Sequence, residues 1–191
     1  AYGDSEARLG RLLQRRSQAA HRFLIATKVG EVSSPTGSHW DFHPATVRAS
    51  IERSLRRLRV DRLDLVLLHS SGDDDAALAA LDTLLELRHQ GLVRAVGAST
   101  KTLAGGLRAV DEAGVAMVEY GRDRLESLPV LDAARGRAGV LIKKPLGSGH
   151  CADPRAALRF AAAHPAVTRV LVGTTQPDHL RAHAAADTGL S

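Results

Sequence analysis

At 191 residues, 44% of them hydrophobic, the chain is long enough for one domain with a sizeable core. No apolar run approaches the roughly 20 residues of a bilayer span, and the single cysteine, Cys151, excludes a disulfide framework within the chain, so a reducing cytoplasm and no membrane association are expected. The formal net charge of +5 comes largely from arginines spread over several predicted helices, and only 3% of the residues are aromatic; with neither a basic stripe nor a stacking platform, the composition argues against nucleic acid as a partner.

In chain order, Tyr2 opens a Y-G-D-S-E turn that leads into an amphipathic helix over residues 5–15, with Leu9, Leu12 and Leu13 on one face and Ser5 placed to cap it. A strand over 23–27 follows and is closed by Lys28, after which comes a loop rich in Gly and Ser. Pro44 then begins a helix in which Val47, Ile51, Leu55 and Leu58 recur at helical spacing. The strand over 63–68 is closed by His69. Asp73, Asp74 and Asp75 supply negative charge to the start of one helix running to about Gln90, which Gly91 ends.

The remaining chain repeats the pattern: strand 93–98, helix 102–113, strand 115–119, helix 128–135, strand 140–143, helix 154–163, strand 167–172 and helix 177–186. Six strands, each followed by a helix, imply a parallel sheet covered by helices. A doubly wound sheet would carry a G-x-G-x-x-G turn after its first strand, and none is present, so a single parallel (β/α)8 barrel domain over 1–191 is the expected fold. Such a barrel needs eight strands and about 250 residues, which leaves this chain short of one N-terminal β-α-β stretch. The absence of an initiator methionine fits the same expectation. Two unpaired sheet edges would then favour self-association.

Tyr2, Lys28 and His69 thus stand at element ends that a barrel gathers on one rim. A phenol near its ordinary pKa of about 10 is a poor proton donor at neutral pH, and a neighbouring cation lowers that value. Singly, each residue reads as well as a packing tyrosine, a lysine reaching solvent and a hydrogen-bonded core histidine. Together they favour catalysis. Trp40 and Phe42, in the loop after Lys28, line a substrate pocket or clamp that loop. The histidines lack regular ligand spacing, so no metal is expected; His164, His179 and His183 read as exposed helix residues and Cys151 as structural.

The sequence resembles the aldo-keto reductase family. The resemblance is carried by Tyr2-Gly3-Asp4-Ser5-Glu6 with Leu9-Gly10, by Ala26-Thr27-Lys28, and most specifically by the block from Val47 to Leu58 followed by Asp61-Arg62-Leu63-Asp64-Leu65 and Leu68-His69. Arg94 to Ser99, Pro145 to Gly149 and Val172 to Pro177 are similar to the later strand-end motifs. It implies reduction of an aldehyde or ketone, or oxidation of an alcohol or sugar, by hydride transfer with NADP(H) or NAD(H), Tyr2 acting as proton donor, Lys28 lowering its pKa and His69 orienting the carbonyl.

The family's aspartate, partner of the lysine, would lie upstream of Ala1. For the cofactor, the resemblance implies Ser99, Thr100 and Met117 at the nicotinamide amide, with Thr100 where asparagine is usual and Met117 where glutamine is usual. Lys143 stands in place of a stacking aromatic, and Lys144, Leu146 and Ser148 follow it. Gly173, Thr174 and Thr175 fall at the phosphates. His179 replaces an arginine, and Ala182 and His183 replace a Glu-Asn pair at the adenine, which leaves the choice between NADPH and NADH open. Two rival readings stay in play: a Schiff-base aldolase using Lys28 or Lys144, and a reductase-like binding or regulatory protein without turnover.

Overall fold

The computed structural model describes residues 3–15, 23–34 and 36–185, so Tyr2 lies outside the described residues. The chain divides into two compact units, Ala1–Ala98 and Ser99–Ser191. In the first, helix α1 (Ser5–Arg15) precedes strand β1 (Ala26–Val29), a hairpin of β2 (Glu31–Ser34) and β3 (Gly37–Trp40), helix α2 (Pro44–Leu58), strand β4 (Leu63–His69), helices α3 (Asp74–Leu78) and α4 (Leu81–His89), and strand β5 (Val93–Ser99), whose last residue opens the second unit. Strands run in the order β1-β4-β5, and β1 pairs parallel with β4 in the register Lys28 to Leu67 and Val29 to Leu68.

Helix α2 buries Val47, Ile51 and Leu58, and β4 buries Leu63, Val66 and Leu68, each at no more than 2% exposure. Fully burying one such side chain contributes about 1.5–3 kcal/mol, so this helix-strand layer dominates the unit's stability. The helix stops at Arg59, whose left-handed conformation (φ 59°) lets its amide donate back to the Leu55 carbonyl. Its neighbour α1 is held by Glu6, whose Oε1 accepts from Thr27 Oγ1 at 2.7 Å and Ser54 Oγ at 2.8 Å. The leucine face expected of α1 is not the packed one: Leu9 is 39% and Leu12 52% exposed, and Gly10 is the buried residue. At Gly10 the helix comes so close to α2 that a Cβ would sit 2.2 Å from the Arg57 carbonyl oxygen.

In this unit three elements differ from the sequence reading. Strand β1 begins at Ala26 because the Asp64 carboxylate takes the Ile25 amide at 2.9 Å; Phe23 and Leu24, 63% and 73% exposed, precede the ladder. Lys28 therefore sits inside the strand and Val29 closes it. The stretch after it is a hairpin, turned by Ser34 Oγ bonding the Gly37 carbonyl at 2.9 Å. The helix expected over 74–90 breaks into α3 and α4 at Ala79–Ala80, where burying Leu78 and Leu81 on both sides outweighs an unbroken helical ladder.

The second unit holds helix α5 (Leu103–Arg108), continued by a π-turn over Ala109–Ala113, then strand β6 (Val115–Glu119), helix α6 (Leu128–Ala134), strand β7 (Gly139–Lys143), helix α7 (Pro154–Ala163), strand β8 (Val167–Val170) and helix α8 (Pro177–Ala184). Strands β6-β7-β8 pair parallel in that order, with Glu119 level with Lys143. A register shift at Val140 is closed by Thr168 Oγ1, which accepts the Val140 amide at 3.0 Å. Tyr120 packs against Phe160 and His164, its ring centroids 5.5 and 5.9 Å from theirs. His164, at 12% side-chain exposure, is thus a packed residue rather than an exposed one.

Glu119 ties the ends of β6 and β7 together: Lys144 Nζ donates to its Oε1 at 2.5 Å, and Arg124 pairs with its Oε2. Partial burial alone would raise the Glu119 pKa, but the Lys144 hydrogen bond and the charges of Lys144, Arg124 and Lys143 outweigh it and hold the carboxyl below the ordinary 4.5.

Two outcomes are expected. Gly10→Ala should destabilise the fold by about 2 kcal/mol, because the α2 backbone at Arg57 and Leu58 blocks the new methyl; an unchanged urea midpoint would show that α1 is free to shift. Glu119 titrates lower folded than unfolded, so its stabilisation is present above pH 4.5 and is lost as pH falls through the folded value. Glu119→Gln should therefore be less stable than wild type at neutral pH and lose less stability on acidification; parallel melting curves from pH 7 to pH 3 would contradict this.

Candidate functional site

The hairpin brings side chains to the end of β4. The Trp40 ring meets that of His69 edge-on at a centroid distance of 5.1 Å and stacks on Phe42 at 6.3 Å. His69 Nδ1 lies 3.4 Å from Glu31 Oε2, and Glu31 also accepts from Ser38 Oγ at 2.8 Å. A carboxylate on one ring nitrogen fixes the plane of the imidazole, so His69 is oriented from two sides. Phe42 in turn fills the space where Gly30 has no side chain. Lys28, half-buried on β1, belongs to the strand paired with that of His69. Glu31 escapes sequence reading because the hairpin has no apolar alternation to announce it. The Trp40–His69 contact also requires the turn at 34–37.

In the second unit the polar groups at the strand ends interlock. Lys143, the last residue of β7, donates to Ser99 Oγ at 3.1 Å and to the Thr100 carbonyl at 2.7 Å. The Thr100 amide donates to the Met117 carbonyl at 3.2 Å, so Met117 joins through its backbone while its side chain lies in the core, 3% exposed. Ser99 and Thr100 are each 2% exposed, and Thr100 Oγ1 has no hydrogen-bond partner among the described residues. A buried hydroxyl left so costs about 1–3 kcal/mol, and a ligand amide would satisfy it.

Beyond Lys143 the same unit opens into a cleft of about 1270 Å³. Its wall includes Lys144, Leu146 and Ser148 from the turn after β7, Gly173, Thr174 and Thr175 from the segment after β8, and His179 and His183 from α8. Eight of the twelve residues that the sequence assigns to a cofactor therefore line one cavity. Lys144 and Ser148 adopt left-handed conformations (φ 52° and 61°), and Gly147 and Gly149 (φ 55° and 99°) complete the turn. Cys151 and Arg155 also line it. Arg155, just inside α7, is a cation that periodicity marks only as an exposed helix residue. The residues present suit a long, phosphate-bearing cofactor: a glycine-containing turn, the three hydroxyls of Ser148, Thr174 and Thr175, and the cations Lys144 and Arg155 along one groove.

Tyr2 lies outside the described residues, which begin at Gly3. The other tyrosine, Tyr120, is a packing residue: burial, with the Asp132 charge adding to it, pushes its phenol above the usual value of 10.0. No described helix is long and apolar enough to cross a membrane.

Comparison with known proteins places the chain in a family. The sequence profile of the aldo/keto reductase family matches residues 1–121. A D-threo-aldose 1-dehydrogenase from a Pseudomonas species is 32% identical over 176 residues, covering 77% of this chain and 53% of that protein, so the chain spans about half the length of this curated relative. Among solved structures, a Pseudomonas aeruginosa protein assigned to the aldo-keto reductases superposes with a TM-score of 0.89 at 41% identity, over 99% of this chain and 74% of that one. The holo form of an aldo-keto reductase from Bacillus halodurans, at 23% identity and a TM-score of 0.81, covers 95% and 72% and shows the fold alone. The fold is that of the parallel (β/α)8 barrel, and the chain belongs to the aldo/keto reductase family.

Proposed function

We propose that the protein is an NAD(P)H-dependent oxidoreductase that reduces an aldehyde or ketone, or in reverse oxidises an alcohol or sugar, with Tyr2 as the proton donor. The observation that carries the reading is the cleft after β7 and β8, where eight residues matched to a nicotinamide dinucleotide by sequence line one groove. When bound, the cofactor supplies or takes up hydride at the carbonyl carbon. The residues of this chain do the rest. Ser99 and Thr100 hold the amide of the nicotinamide, a role supported by the Thr100 hydroxyl, which has no partner among the described residues. Gly173, Thr174 and Thr175 receive phosphates, with Lys144 and His179 supplying positive charge.

In this reading Tyr2 gives its proton to the forming alkoxide, Lys28 favours the phenolate by its charge, and His69 hydrogen-bonds the carbonyl oxygen as negative charge grows there. The Glu31 carboxylate and the Trp40 ring, both against His69, keep that imidazole in one orientation. Trp40, 37% exposed, offers an apolar wall to a small substrate. The match to a D-threo-aldose 1-dehydrogenase supports a polyhydroxylated aldehyde or its cyclic sugar as one substrate class. A site outside the membrane, in a reducing cytoplasm, suits a nicotinamide cofactor.

With a panel of small aldehydes, wild type should consume NADPH or NADH at 340 nm, and Tyr2→Phe should lower kcat about a hundredfold or more while leaving cofactor affinity within about threefold. Wild-type protein that neither binds nor oxidises either nucleotide would end the proposal. His179→Arg should raise NADPH affinity about tenfold and leave NADH affinity unchanged, because a guanidinium grips the 2′-phosphate by two parallel hydrogen bonds where an imidazole has one. Equal gains for both nucleotides would remove His179 from that phosphate.

A further inference from the structure

We infer that Glu31 is a positioning residue that acts through His69: by holding the imidazole at Nδ1, it makes His69 meet the carbonyl oxygen as an imidazolium, with Nε2–H as the donor. The inference rests on the proposed function, in which His69 hydrogen-bonds that oxygen, and adds the state of charge in which it does so. The two oxygens of Glu31 have separate tasks. Oε1 accepts from Ser38 Oγ at 2.8 Å, and Oε2 lies 3.4 Å from His69 Nδ1. Glu31 stands opposite Trp40 in the hairpin register, and residues so paired share one face, so carboxylate and indole reach the imidazole together, the indole edge-on at 5.1 Å. Both members of the pair are partly buried, the His69 side chain 24% and that of Glu31 17% exposed, which strengthens the attraction relative to open water.

An ionised carboxylate only accepts hydrogen bonds, so the ring nitrogen that faces it carries a hydrogen. A neutral imidazole has one such hydrogen. With it on Nδ1, Nε2 is a bare acceptor whose lone pair opposes those of a carbonyl oxygen, and donation from Nε2 needs the second proton. The charge of Glu31 favours that doubly protonated ring. Other ionisable groups stand on the elements around β4: Lys28 on β1, Asp73, Asp74 and Asp75 opening α3, and Asp41 after the hairpin, which accepts from Thr46 Oγ1 and the His43 amide. Arg94 on β5 pairs with Asp64 near the far end of the strand. All of these are common to wild type and a Glu31 variant, so the part played by Glu31 is read as a difference. As negative charge grows on the carbonyl oxygen, a hydrogen bond from an imidazolium strengthens more than one from a neutral ring. The proton that completes the alcohol still comes from Tyr2, and His69 ends the reaction in the state in which it began.

The test follows the imidazoles by nitrogen NMR of the protein alone, and kcat for aldehyde reduction, both against pH in wild type and Glu31→Gln; His69→Asn assigns the signal. Glutamine keeps the size and the acceptor for Ser38 and removes the charge. In wild type His69 should stay doubly protonated to about one pH unit above the exposed His39, and in Glu31→Gln the two should titrate within about 0.3 unit of each other. Glu31→Gln should lower kcat about tenfold near pH 8 and less than about twofold near pH 5.5, whereas loss of a merely structural contact lowers it alike at both. A loss set by the Tyr2 phenol is shared by the two proteins and cancels. A wild-type His69 that titrates with His39, or a deficit in Glu31→Gln that is the same at both pH values, would overturn the inference and leave the proposed function standing. Wild type that neither binds nor oxidises either nucleotide would remove both. Should Glu31→Gln not fold, wild type decides: a kcat that falls with the midpoint of the His69 imidazolium supports the inference, and one that stays level across that midpoint sinks it.

Discussion

In-register parallel pairing of β6 with β7 sets Glu119 and Lys143 at one level, and the polar chemistry of the second unit follows from that alignment. Parallel strands end on the same side, so whatever residues occupy their last positions must share one small space. Four cationic or hydroxyl groups crowd there: Lys143, Lys144, Ser99 and Thr100. They are tolerable only because Glu119 neutralises part of the charge and because Lys143 spends its hydrogens on Ser99 and the Thr100 carbonyl. Between its ends β7 is buried on both faces, by Val140, Leu141 and Ile142, so its polar chemistry is confined to the end that Lys143 occupies.

The first unit solves a different problem. There the strand pair β1–β4 carries Lys28 and His69, and the local devices orient what the strands merely supply. Glu6 fastens α1 by hydroxyls from Thr27 and Ser54, one position from Lys28 and one turn from the end of α2. Gly10 permits the approach that makes the tie possible.

Elements driven by apolar periodicity were legible in the amino-acid sequence. Helix α2 has Val47, Ile51 and Leu58 at helical spacing beneath a proline start, and β4, β5 and β6 are near-continuous apolar runs between turn residues. The hairpin was not legible, since Glu31 to Ser34 and Gly37 to Trp40 are mostly polar, lie outside the parallel ladder and are held by backbone pairing and a Ser34 turn. The start of β1 also eluded the pattern: Phe23 and Leu24 look like strand residues by type, while the Asp64 side chain, remote in sequence, decides where the ladder begins. For the cleft, motif resemblance identified the residues after β7 and β8, but Cys151 and Arg155 become neighbours of those motifs only when α7 folds against them. Charge pairing such as Glu119 with Lys144 and Arg124 is a long-range event with no local signature.

The hairpin closes its hydrogen bonds upon itself, forming a two-stranded sheet apart from the parallel ladder while still presenting Glu31 and Trp40 to His69. The piece of chain that orients the His69 ring is thereby separate from the pieces that build the parallel ladder. Exposed hairpin positions such as His39 can change without disturbing a single rung of that ladder, so the surface beside His69 is free to be reshaped at little cost in folding.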